Sequence, residues 1–238
     1  VSGVQDFGAA FGAAFRLVIT LDPDLVEIVG LSLRVSLGAV LAAAVIGLPI
    51  GAGLAVARFP GRGVALVALN SLMGLPPVVV GLLVYLALSR AGPLGPLGLL
   101  YTPTAMVIAQ MILVVPIVAA VSRQTVEDLK DEYDEQLRVL GVGPAGMVAT
   151  LLWDARYSLL TALLAGFGRA VAEVGAVIIV GGNIAHVTRV MTTAIALETS
   201  KGDLALALGL GIILLALAIG VNAAVMGIRR TAGHAAFA

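Results

Sequence analysis

Five long stretches carry almost no charge, and this pattern limits the possible folds more than any other feature of the chain. They run roughly from Leu31 to Ala57, Val64 to Ser89, Pro103 to Ser122, Tyr157 to Val180 and Leu204 to Ile228. At 1.5 Å per residue, a helix of about 20 residues crosses a hydrocarbon core of about 30 Å. Composition agrees: the 238 residues are 60% hydrophobic and 12% charged, against about 25% charged in a soluble domain. A larger soluble core cannot absorb that deficit, because a chain of this size must still cover a surface. The expected fold class is an all-α polytopic membrane protein with about five transmembrane helices.

Residues 1–30 form a different region. "QDFGAAFGAAFRLVIT" is short and precedes the polar "LDPDLVE". Phe7, Phe11 and Phe15 are four residues apart, which gives one aromatic stripe on a helix lying in the membrane interface. A short sixth span is the competing reading. No basic residue precedes Arg16, which argues against a cleavable signal peptide. The division expected is an N-terminal interfacial helix and linker over 1–30, then a transmembrane domain over 31–238.

Basic residues set the orientation. Arg58 and Arg62 follow the first span, Arg123, Lys130, Arg138 and Arg156 lie between the third and fourth, and Arg229 and Arg230 follow the fifth. With five spans these all fall on one side. Arg16, Arg34, Arg90, Arg189 and Lys201 fall on the other. The bias places the 123–156 loop and the C-terminus in the cytoplasm.

Several chemistries lose their residues. Neither lysine, Lys130 or Lys201, follows a glycine, so no phosphate-cradling nucleotide loop is present. The two histidines, His186 and His234, form no metal-binding pair, and no Ser-His-Asp arrangement can be argued. The absence of Cys excludes disulfides and thiolate-bound metals. A net charge of zero gives no basic footprint for nucleic acid. An enzyme is therefore weakly supported and a transport component favoured; any ATPase belongs to another chain.

Small residues recur every four positions at Gly47, Gly51 and Ala55, at Gly168, Ala172 and Ala176, and at Ala216, Gly220 and Ala224. Such rows let helix backbones approach closely, although Gly and Ala are also simply common here. Pro49, Pro76, Pro77 and Pro116 sit inside spans and free backbone carbonyls. Helices lining a pathway and kinked packing both account for them.

Seven of the fourteen acids lie between Glu127 and Asp154. Read as helix, 127–140 puts Leu129, Tyr133 and Leu137 on one face, with acids over much of the rest. Gly141 can take the left-handed conformation that ends such a helix, and Pro144 suits the first turn of the next. The stretch therefore reads as helix, sharp turn, short helix "PAGMVATLL" and re-entry at Arg156. A solvated loop is the plainer alternative.

This stretch resembles a motif of ABC importer permeases: Glu-Ala-Ala, three residues, Gly, then a short coupling helix ending near Leu-Pro. Here it reads "EQLRVLG", Glu135 to Gly141. Gln136 and Leu137 replace the alanines, and Trp153–Asp154 stand where Leu-Pro is expected. "FPGR", "GLPPVVVGLLVYLALSRAGPLG" and "GRAVAEVGAVIIVGGNI" resemble the molybdate, tungstate and sulfate permease group, and "LLYTPTAMVIAQ" and "VTRVMTTAIALETSKGDLALALGLGIILL" resemble its tungstate branch. The resemblance covers nearly the whole chain.

It implies the type I permease fold in a prokaryotic inner membrane and a homodimer working by alternating access. It also implies two cytoplasmic ATPase subunits carrying ATP and Mg, with no cofactor in this chain, and an extracytoplasmic oxyanion-binding protein. Tungstate is the expected substrate, with molybdate or sulfate as alternatives. Glu135, Gly141, Val142, Pro144 and Met147 are the expected coupling residues, with Glu135 capping or orienting the turn. A self-sufficient secondary carrier would need an internal repeat and several intramembrane ionisable groups, and neither is evident. A structural scaffold would need no coupling loop.

Arg169 and Glu173 are four apart in the fourth span, so on a continuous helix they share a face. Isolated charges at that depth cost several kcal/mol. They form either an ion pair that permits insertion or a pair flanking the pathway. In the second case Arg169 supplies positive potential for a dianion and Glu173 holds it in place. Asn183 after "VGG" is a candidate gate residue, and Pro76 and Pro77 are candidates for the pathway lining.

Overall fold

The computed structural model describes residues 7–235, and all regular structure among them is helical. The helices are α1 (Phe7–Ile19), α2 (Pro23–Val56), α3 (Arg62–Met73), α4 (Pro77–Leu88), α5 (Pro103–Val139), α6 (Pro144–Asp154), α7 (Arg156–Val171), α8 (Gly175–Gly181), α9 (Met191–Lys201) and α10 (Leu204–Ala235). A 3₁₀ turn covers Gly95–Leu97. Prolines begin α2, α4, α5 and α6, where their missing N–H removes no helical bond.

Among the described residues, α2, α5 and α10 are long and apolar enough to cross a membrane, and the count rises to five if each of two bent helix pairs is one span. The structure departs from the sequence expectation in five places. The stretch 64–89 is broken at residues 74–76 rather than continuous. The acidic segment 127–140 is not a separate helix; α5 runs on from the apolar stretch through Val139. The stretch 157–180 is interrupted after Val171. The expected boundary at 30/31 falls inside α2, and α9 has no counterpart in the expectation.

The chain divides into two compact units. One comprises residues to Leu37, Pro77–Gln110 and Val171–Gly220; the other comprises Gly38–Pro76, Met111–Ala170 and the segment from Val221.

In the first unit α4 packs on α8. A Cβ at Gly81 would lie 2.8 Å from Ala176 Cα, so only a bare backbone allows this approach. Ala14 of α1 is buried, and a Cβ at Gly209 of α10 would meet its carbonyl at 3.6 Å. Phe11, Phe15 and Ile19 of α1 are exposed, which keeps the aromatic face predicted for Phe11 and Phe15; the Phe7 side chain lies outside the described ones. At about 20 Å, 13 residues of helix are too short to span the core alone.

In the second unit the Gly47–Gly51–Ala55 row is a helix contact. A Cβ at Gly51 would lie 2.2 Å from Ala119 O of α5, and one at Gly47 would lie 3.0 Å from Val115 O. Ser122 Oγ donates to Leu48 O at 3.0 Å in the same seam. Val40, Ala43, Val114, Val118 and Ala170 form an apolar core below it. The other two rows differ. Ala172 lies outside any helix, so the Gly168–Ala172–Ala176 row does not exist as a face. Ala216, Gly220 and Ala224 are all exposed on α10.

Candidate functional site

The α5–α6 turn is built from backbone geometry. Leu140 N–H donates to Gln136 O at 3.1 Å, and Val142 N–H to Leu137 O at 3.0 Å. Gly141 between them has φ +71°, the left-handed conformation expected from sequence. Nothing lies within 4 Å of where its Cβ would be, so the demand for glycine is conformational and not steric. Gly143 is extended, and Pro144 opens α6.

The two faces of α6 differ. Met147 and Leu151, four apart, are buried in a cluster with Ala52, Ala55, Val126 and Leu137, and Val142 packs against it. Pro144, Ala145, Gly146, Ala149, Thr150 and Trp153 are exposed, Trp153 at 70%. Val139 and Leu140, just before the turn, are also exposed. Arg58, Lys130, Asp134, Val142, Pro144 and Met147 line a groove of about 510 Å³ beside it. Helix α7 leaves α6 at 72°, and there the Arg156 guanidinium lies 5.0 Å from the Trp153 ring and 4.7 Å from the Tyr157 ring. Of the predicted coupling residues, Gly141, Val142, Pro144 and Met147 come together. Glu135 does not join them. Its side chain is exposed one turn before α5 ends, and backbone bonds close the turn instead.

The charged break is built from side chains. Arg169 lies exposed in the last turn of α7, where a cation is favoured by the helix dipole. Glu173 lies beyond that helix and is 5% exposed. Its Oε1 accepts from Ala176 N–H in the first turn of α8 at 3.2 Å, and its carbonyl accepts from Thr192 Oγ1 at 2.7 Å. Helix α7 ends at Val171, so Arg169 lies in its last turn and Glu173 beyond it, and the single continuous helix expected through both residues is interrupted. Asn183 follows Gly182 with φ +50°, and its amide donates to Thr193 O at 3.3 Å. Pro76 is exposed in the break before α4, and Pro77 is the first residue of α4.

Sequence reasoning missed the polar scaffold around this break. Ser32 Oγ accepts from Met191 N–H at 2.8 Å, Thr188 Oγ1 donates to Gly181 O at 2.5 Å, and buried Glu198 meets Lys201 at 3.0 Å and Arg189 at 3.7 Å. His186 Nδ1 lies 2.9 Å from Glu27 Oε2. That hydrogen bond and the Glu27 charge raise the His186 pKa above 6.5, with Asp24 acting in the same direction and Arg189 against it. The only advance signal was a cluster of hydroxyls and charges between two apolar stretches.

The comparisons with known proteins fit this architecture. Residues 47–231 match the model of the binding-protein-dependent transport system inner membrane component family. The chain is 43% identical to a probable anion ABC transporter permease protein of Haloferax volcanii, covering 84% of this chain and 88% of that one. It is 38% identical to the tungstate uptake system permease protein TupB of Peptoclostridium acidaminophilum, covering 92% and 96%. Identity to the molybdenum transport system permease protein ModB of Azotobacter vinelandii is 31%, over 63% and 70%.

Proposed function

Because this chain belongs to the binding-protein-dependent transport system inner membrane component family, we propose that it is the permease subunit of an ATP-driven oxyanion importer, with tungstate as its substrate. The observation that carries the substrate is the near full-length likeness to a tungstate permease. Molybdate is the second reading, favoured by the more partial likeness to a molybdenum permease.

The working unit proposed is two copies of this chain, two cytoplasmic ATPase subunits that hold ATP and Mg, and an extracytoplasmic oxyanion-binding protein. The 123–156 segment and the C-terminus face the cytoplasm in this reading, following the basic-residue bias. The exposed face of α6, with Val139, Leu140 and Trp153 beside it, is the surface offered to the ATPase. Its buried face carries Met147 and Leu151 into the cluster with Ala52, Ala55 and Val126. A push on α6 therefore moves α2 and α5 together. Closure of the ATPases would drive alternating access through this connection, and the substrate would pass along a path at the interface between the two copies. Arg169, exposed in a single copy, supplies positive potential along that path. Glu173 acts by shaping the break before α8.

Reconstitution tests the reading. Vesicles holding this chain, its ATPase and the loaded binding protein should accumulate tungstate only with ATP. Vesicles holding this chain alone should accumulate none. Uptake by the chain alone would establish a self-sufficient carrier instead. Molybdate taken up in preference to tungstate, from a binding protein loaded with both, would select the second reading.

A further inference from the structure

One guanidinium in the second unit joins three helices. Arg62 is the first residue of α3. Its Nε donates to Leu54 O in the last turn of α2 at 2.9 Å, and its Nη2 meets Glu127 Oε1 of α5 at 2.7 Å. The other Glu127 oxygen takes Arg123, one turn earlier on α5. One turn from Glu127, Lys130 Nζ donates to Ala55 O at 3.3 Å. Two neighbouring carbonyls at the end of α2 are therefore held by cations from α3 and α5, where positive charge suits a helix C-terminus.

The place of this network gives it more than a capping role. Val126, beside Glu127, and Ala55, whose carbonyl Lys130 holds, both belong to the cluster that receives Met147 and Leu151 of α6. Apolar packing thus ties α6 to α2 and α5. Farther along α3, Leu69 packs against Ala119 and Ala120 of α5 beside Leu54 of α2; at its start α3 is held by Arg62, to Leu54 O of α2 and to Glu127 of α5.

We infer that Glu127 is a positioning residue that fixes the start of α3 to the α5–α6 body, so that this end of α3 moves with α6 and does not pivot about the Leu69 contact. This rests on the proposed permease function. The side chains of Arg62, Glu127 and Arg123 are 21% to 33% exposed, so the pairs are screened and add little to overall stability. What the network supplies is direction: a fork-shaped donor that bonds a carbonyl and a carboxylate at once. Glu127→Gln keeps the shape and loses the charge that two arginines share. Arg62→Lys keeps the charge but replaces the fork with a single nitrogen.

The test uses the complete transporter in vesicles, with tungstate uptake and ATP hydrolysis measured in the same preparation. Both variants should assemble and unfold within a few degrees of the parent, and ATP hydrolysis should persist. Uptake per ATP should fall about fivefold or more, the low end of coupling between linked sites. The chain has no cysteine, so Arg62→Cys with Glu127→Cys can be bridged by a short bis-thiol reagent, and bridging should restore the ratio. A purely structural role would move unfolding and not this ratio. An independent reading needs no transport. Spin labels at Val64 of α3 and Gln124 of α5, both exposed, should show a broadened distance distribution in Glu127→Gln. An unchanged ratio in both variants, or an unchanged distribution, would overturn the inference. Absence of ATP-dependent uptake in the parent would instead remove the permease reading, which separates the two failures.

Discussion

The α5–α6 turn and the α7–α8 break are both places where a helix stops, yet they are held by different means. The turn is closed by backbone hydrogen bonds, with no polar side chain in them: Gly141 at φ +71°, two backbone hydrogen bonds, and Pro144 to start the next helix. The break relies on a side chain. Glu173 caps α8 through its carboxylate, and its own carbonyl is held by Thr192 from the segment starting α9. A turn near water can leave peptide groups to the solvent. A break in an apolar stretch must satisfy them internally, because an unmet buried donor or acceptor costs about 1–3 kcal/mol. The contrast predicts which residues each site can lose.

The largest effect is expected at the break. Glu173→Leu should leave the Ala176 N–H and the start of α8 without their acceptor. The purified permease should unfold several degrees lower and its uptake should be abolished. Glu173→Gln keeps an acceptor oxygen and should retain most of the stability. Equal behaviour of Leu and Gln would show that the side chain does not hold the break. The double change Arg169→Glu with Glu173→Arg should be nearly as harmful as Glu173→Leu. An arginine at 173 cannot accept from Ala176 N–H, whatever pair it forms. Wild-type stability and uptake in that exchange would show that the Glu173 carboxylate does not hold the break.

The same contrast explains what could be read in advance. The turn was legible because its signals are local: glycine where φ must be positive, proline three residues on, and apolar residues four apart at Met147 and Leu151. The apolar stretches were legible because length and hydropathy alone define them. The break was not legible. In sequence, "GRAVAEVGAVIIVGG" reads as helix throughout, and Arg169 and Glu173 at i, i+4 look like a helical pair. One of the bonds that hold the break, from Thr192, comes from 19 positions away, in a segment with no apolar period of its own. Tertiary hydrogen bonding outweighs local pattern there. The clamp at Glu127 was hidden for a similar reason. Arg62 and Arg123 counted as loop charges that set orientation, and nothing in their spacing indicates that they share one carboxylate.

At the turn a smaller effect is expected. Gly141→Ala meets no neighbouring atom, so its cost is that of a left-handed non-glycine residue, about 1–2 kcal/mol. Gly141→Val adds a branched side chain and should cost more, whereas Gly141→Asn should cost least. All three should fold. ATPase association or substrate-stimulated hydrolysis should decline in the order Asn, Ala, Val, while overall unfolding moves little. A flat series would show that the turn tolerates another geometry.

The smallest expected effect tests whether side-chain chemistry holds the first unit in a way that backbone geometry does not hold the turn. His186 and Glu27 join the loop after α8 to the first turns of α2. Glu27 raises the folded-state pKa of His186 above its ordinary 6.5. Protonated His186 is therefore favoured in the folded protein, and its contribution to stability is fully present below pH 6.5. That contribution is lost as pH rises through the raised folded value. Both side chains are largely solvated, His186 at 71% and Glu27 at 46%, so the effect is small. The unfolding temperature should fall slightly between about pH 6 and pH 8, the range in which histidine ordinarily changes charge. His186→Ala should remove that part of the slope, and Glu27→Gln should weaken it. The loss caused by Gly141→Ala should be independent of pH over the same range, because a φ angle does not titrate. A slope unchanged in His186→Ala would mean that another group sets the pH response of this unit.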